Sequence, residues 1–157
     1  MKRGFLILVT LPWAAAAVAG QMVDRPVNLA RNGRTPHVNY MTECQGCHLP
    51  DGSGMAGKVP AMKGEISRFL TVEGGRQFLI QVPGAANSKL SDADLAAVMN
   101  WIITTMGKPA AGIFTPYTPE EVASYRAHRL QDVATVRGRL VSRFAVQEPP
   151  TGATSSR

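Results

Sequence analysis

The run Cys44-Gln45-Gly46-Cys47-His48 holds both cysteines of this 157-residue chain, three positions apart, with a histidine directly behind the second. On a helical turn that spacing lets two thiols add across the two vinyl groups on one edge of a porphyrin, and it points the next imidazole at the iron. A C-x-x-C-H run of this kind reads as covalent attachment of c-type haem, one per chain. Rival uses of the cysteine pair need surroundings that the sequence does not supply. A thioredoxin-like redox pair wants a βαβ context, and no such pattern flanks the motif. A structural zinc site wants two further Cys or His ligands at finger-like spacing. Only His37 and His128 remain, one just ahead of the motif and the other far downstream.

The N-terminus carries an independent signal. Lys2 and Arg3 precede an apolar run from Gly4 to Trp13, followed by Ala14-Ala15-Ala16-Ala17-Val18-Ala19-Gly20. A basic start, an apolar stretch and a small-residue site form a secretory signal, so residues 1–20 are expected to leave by cleavage after Ala19 or Gly20. The apolar run is shorter than the roughly 20 residues of a spanning helix, and membrane attachment is expected only if the signal stays uncleaved. Haem c is attached outside the bacterial cytoplasm, so motif and signal agree on a periplasmic protein. Loss of Lys2 and Arg3 lowers the formal net charge from +6 by two. A modest basic excess suits docking onto an acidic protein, while the lack of Lys/Arg blocks interleaved with aromatics excludes a nucleic-acid partner.

Residues 21–36 are polar, with Pro26, Gly33 and Pro36, and read as an extended leader. A first helix is expected from His37 to Gln45, with Val38, Met41 and the cysteines inward and Tyr40 one turn above the attachment site. Leu49 to Pro60 is dense in Gly and Pro and reads as a loop. Short helices are expected over Ile66–Leu70 and Glu73–Gln81, the second broken by Pro83-Gly84. Ser91 is a natural N-cap with Asp92 and Asp94 behind it. Leu95, Val98, Met99, Ile102, Ile103 and Met106 then draw one apolar stripe along a helix that Gly107 and Pro109 stop. Residues 111–146 are expected to form a helical extension. Thr118-Pro119-Glu120-Glu121 offers an N-cap, a proline at the first position and a capping-box glutamate, and a last helix is expected over Asp132–Phe144. Its Arg137, Arg139 and Arg143 lie on or beside the solvent side. Residues 147–157 have the composition of a disordered tail.

Motif, glycine-rich loop and terminal amphipathic helix together resemble a class I cytochrome c over about Asn39 to Gly107. The resemblance implies an all-α fold, a small haem domain spanning residues 37–110 with the helical extension appended. It implies that Cys44 and Cys47 form the thioethers and that His48 is the proximal axial ligand of the haem iron. It also makes Pro60 the proline whose region holds that imidazole through a backbone carbonyl, an outer contact that fixes the ring. Trp101 matches the aromatic of the terminal helix that packs on the first.

The sequence departs from that family at the sixth ligand. A methionine usually precedes the terminal helix, yet Glu65 to Val98 contains neither Met nor His. The segment expected to present it reads Val82-Pro83-Gly84-Ala85-Ala86-Asn87-Ser88-Lys89-Leu90. Candidates are therefore Met106, His128, His37, Asn87, Lys89 or an open position. Met41 and Met99 are expected in the core, and Met62 as an apolar wall on the proximal side. The expected function is electron transfer, from a periplasmic dehydrogenase to a second cytochrome or an oxidase, as a free shuttle or a docked haem subunit. The alternative is a haem enzyme or sensor with an open distal site for peroxide or a gas, although no distal His and Arg pair is evident.

Overall fold

The computed structural model describes residues 31–147. The signal segment, the start of the leader and the tail beyond Gln147 lie outside the described residues. Within them all regular structure is helical, with one isolated bridge, between Met55 and Val59. The all-α expectation holds.

Helix α1 runs Pro36–Glu43, started by Pro36 at its first position and by the Thr35 hydroxyl, which accepts the Val38 N–H at 3.2 Å. It begins one residue before the expected start and ends two before Gln45, because the motif itself forms the next turn. The end of the leader is not simply extended: Asn32 exchanges side-chain hydrogen bonds with buried Asn39 and donates its backbone N–H to Asp94. That ties the chain entering α1 to the first turn of helix α4, Asp92–Ile102.

The inward face of α1 is not the expected one. Tyr40 is fully buried and Cys44 packs on the core, whereas Val38 and Met41 are 39% and 50% exposed. The reason is the partner. Trp101 of α4 lies 5.1 Å from the His37 ring and 5.5 Å from the Tyr40 ring, so residues 37 and 40 face α4 and the neighbouring Val38 and Met41 turn outward.

A 3-10 helix over Ile66–Thr71, helix α2 over Gly75–Gln81 and a single turn α3 over Pro83–Ala86 follow. Pro83 starts a new turn rather than merely breaking α2. Ser91 caps α4 as expected, accepting the Asp94 N–H at 3.1 Å. The stripe of α4 is buried, but its last turn differs from a plain helix: Ile103–Gly107 widens into a π turn closed by Lys108 in the left-handed region. Close packing requires Gly107 there, since a Cβ would stand 2.7 Å from Ile66 Cγ2.

The extension packs on this frame. Helix α5, Pro119–Arg126, lies against α4 and α2 with Val122 fully buried. Helix α6, Val133–Gln147, places Phe144 edge-on to Phe69, which stacks on Phe78. Thr118 caps α5 by accepting the Glu121 N–H, but the Glu121 carboxylate does not complete a capping box. It pairs with Arg76 of α2 instead, at 2.7 Å for one of two bonds, while Arg76 lies over the Tyr117 ring. Hydrogen bonding to Arg76 holds the Glu121 carboxyl below its ordinary value of 4.5, with burial opposing. Its stabilising effect is therefore complete above pH 4.5 and is lost as pH falls through the depressed folded value. Glu121→Gln is expected to unfold about 1–2 kcal/mol more easily at neutral pH. In urea melts taken downward from pH 7, that difference should shrink below the carboxylate range.

Candidate haem site

The motif is the turn that follows α1. Cys44 N–H donates to Tyr40 O, and the N–H groups of Cys47 and His48 both donate to Cys44 O at 3.1 and 3.0 Å. One carbonyl thus gathers the three residues into a single helical turn. Both thiols are free; Cys44 is half-buried and Cys47 exposed. Burial, then Glu43 and Cys47, push the Cys44 thiol up to about 11, so the sulfur keeps its proton. That is the form in which S–H adds across a double bond.

The chain leaving the motif is held by a contact that the sequence reading missed. The Tyr40 hydroxyl donates to Leu49 O at 2.6 Å, stapling the residue after His48 back onto α1. Burial, followed by Cys44 and Asp51, raises the Tyr40 pKa, which keeps the phenol a donor. Only its place one turn before Cys44 hinted at this.

His48 is half-buried, and burial lowers its pKa. The imidazole is therefore neutral at pH 7, the form that ligates metal. Its Nδ1 is buried and has no hydrogen-bond partner, so the bond expected from the Pro60 region is not made here. Pro60 is exposed, and the neighbouring Val59 carbonyl accepts the Met55 N–H at 2.9 Å. A groove of about 460 Å³ runs along this loop, lined by Met55, Lys58, Pro60 and Arg137 of α6 among others.

These residues fit a covalently held haem. Two free thiols share a turn with a neutral imidazole whose inner nitrogen is orphaned. Four of the five large apolar side chains left exposed among the described residues, Val38, Met41, Leu49 and Met55, flank the motif. Exposed apolar side chains gathered along one stretch mark a surface made to be covered, and a porphyrin face is apolar. The competing uses fail on structure: no strands surround the pair, and no three His, Cys, Asp or Glu gather as a metal-ligand set among the described residues.

The expected sixth-ligand candidates are scattered. Met106 is buried in the π turn with its sulfur against Gly52, where a Cβ would stand 2.6 Å from Sδ; Gly52 also holds a φ of +78°. His37 stacks on Trp101. His128 is exposed after α5, its Nδ1 3.1 Å from Ser124 O. Asn87 and Lys89 are exposed between α3 and α4.

That last segment is clamped by a residue that the sequence reading passed over. Arg126, at the end of α5, donates to the carbonyls of Ser88 at 2.8 Å, Leu90 at 2.9 Å and Ala86 at 3.3 Å, and to the Asp92 carboxylate at 2.8 Å. Nothing local announces it; the bonds reach 34 to 40 residues back. Among the described residues no helix is long and apolar enough to cross a membrane.

No family model matches the chain. Two cytochromes c-552 of Thermus thermophilus are each 35% identical to it over 120 residues. The matches take 62% of this chain and 91% and 80% of those relatives, respectively. Since 62% of 157 residues is fewer than 120, the relatives carry positions inside the matched stretch that this chain lacks. With the motif turn, the helical frame around it and this likeness over most of both relatives, the chain belongs to the class I mono-haem cytochrome c family.

Proposed function

We propose that this protein is a periplasmic single-haem electron carrier, taking electrons from a periplasmic dehydrogenase and passing them to a second cytochrome or an oxidase. The observation that carries the reading is the motif turn, with two free thiols and a neutral imidazole grouped by one carbonyl. Haem bound there supplies a one-electron iron couple whose potential follows its axial ligands and burial. The chain's own part is placement. Cys44 and Cys47 fix the porphyrin edge, His48 presents its outer nitrogen to the iron, and Tyr40 locks the chain that carries His48. The Pro60 region is the acceptor proposed for the His48 Nδ1–H once the ring is engaged. Exposed Cys47 leaves an edge of the site open to a partner, and electron exchange needs no more than such an edge. The basic balance of the chain favours an acidic docking face.

The signal at residues 1–20 supports export. In cell fractionation the protein should appear in the periplasm with Gly20 or Gln21 as its first residue. Its haem should be reduced by a periplasmic extract given an oxidisable substrate, and reoxidised by membranes. Recovery with the cytoplasm, or a haem that stays oxidised in that extract, would contradict the proposal.

A further inference from the structure

Protein side chains that ligate haem iron are chiefly His, Met, Cys and Tyr. Beyond the motif, each such residue in the described chain has a definite place. The three tyrosines all have occupied hydroxyls: Tyr40 on Leu49 O, Tyr117 on Arg76 O and Tyr125 on Glu121. His37 lies on Trp101 at the crossing of α1 and α4, and His128 stands exposed beyond α5. Met99 is 5% exposed within the core. Met106 is pressed on Gly52, and Met62 donates its N–H to Gly52 O. Both therefore sit beside the chain that leaves His48. Met41 and Met55 are exposed, but lie three residues before Cys44 and seven after His48, on the stretch of sequence that already carries the first ligand.

The connection from α2 to α4, residues 82–91, is where a second ligand is expected. It holds no Met, His, Cys or Tyr, and it is not free to move. Arg126 fixes the carbonyls of residues 86, 88 and 90. On the other side the Lys89 N–H meets the Glu43 carboxylate at 3.4 Å, next to Cys44. What this segment can offer is the amide of Asn87 and the side chain of Lys89, and neither is among the side chains that chiefly ligate haem iron.

We infer that none of the described residues ligates the haem iron at its sixth position and that this position binds small exogenous ligands: carbon monoxide when ferrous, cyanide when ferric. The inference rests on the haem attachment proposed above. The binding is plain coordination. A lone pair of the small ligand forms the bond to iron, and no electron changes hands.

The test uses the full exported protein carrying haem. Its ferric form is expected to give a high-spin electron paramagnetic resonance signal that cyanide converts completely to low spin. The reduced form is expected to bind carbon monoxide in one fast phase, with a full shift of the Soret band. Met41→Leu, Met55→Leu, Met106→Leu and His128→Gln should each leave these spectra unchanged. A haem-loaded protein that is low-spin as purified and refuses carbon monoxide would overturn the inference alone. So would loss of a low-spin signal in any one of the four variants, which would name the ligand. A purified chain with no haem surviving denaturation would overturn the attachment, and this inference with it.

Discussion

Replacing Cys44 and Cys47 together with serine is expected to abolish covalent haem, so that haem staining on a denaturing gel falls from full intensity to background. A hydroxyl does not add to a vinyl group under conditions in which a thiol does, and His48 alone holds a porphyrin only by coordination, which denaturant removes. Either single change leaves one thiol on the turn and one thioether at most, so staining should fall in part rather than vanish. The two positions are not equivalent. Cys44 packs against the core, whereas Cys47 is exposed. Cys44→Ser therefore adds a packing cost that Cys47→Ser does not, and of the two it should show the lower thermal midpoint. Full staining of the double variant would refute the assignment of these residues.

Arg126→Gln is expected to be the most destabilising single change in the extension. The guanidinium side chain is 18% exposed and donates four hydrogen bonds into a segment of seven residues, 86–92. Hydrogen bonds to a charged donor contribute about 1.5–3 kcal/mol each where they are sheltered. The Asp92 partner is 41% exposed, so that bond is screened and adds little. The three carbonyls matter more, because Ala86 and Leu90 are buried residues with no free access to water. A loss of about 3 kcal/mol follows, a large part of a stability of about 5–15 kcal/mol, and the melting temperature should fall by about 10 °C. Arg126→Lys keeps the charge but not the planar fork, and should recover only a small part. Thermal unfolding followed by circular dichroism checks both, and a loss under about 1 kcal/mol for the glutamine variant would contradict the clamp.

Arg126 also shows where sequence reading ends. Features set by neighbouring residues were legible: Ser91 and Thr118 as caps, the buried stripe of α4, the stop after Met106, and the turn made by the motif itself. Trp101 was read correctly as the residue that meets α1. Features that depend on which distant surface packs nearby were not. Met41 and Tyr40 are adjacent positions on an eight-residue helix, and only the placement of Trp101 decides that Tyr40 is buried and Met41 exposed. Glu121 stands where a capping-box glutamate should, yet Arg76 of α2, 45 residues earlier, captures its carboxylate. The π turn at Ile103–Gly107 has the same origin. Its tight seat on Ile66 and Ser67, with the Ser67 hydroxyl donating to Gly107 O at 2.9 Å, is a tertiary contact.

The haem site divides along the same line. Cys44, Cys47 and His48 are local to one turn and could be read at once. The missing methionine was also legible, as an absence between Glu65 and Val98. That the connection 82–91 is pinned by Arg126 on one side and meets Glu43 on the other was not. The segment where a second ligand is expected is shaped by contacts with residues far away in the sequence.

The central claim is that one haem is bonded to Cys44 and Cys47 of this chain. Intact mass of the exported, denatured protein, followed by mass analysis of its proteolytic peptides, tests it most directly. The expected result is the mature polypeptide plus one haem, with the added mass on the single peptide that contains residues 44–48 and no thiol left to alkylate. A mass equal to the polypeptide alone, with both cysteines open to alkylation, would contradict it.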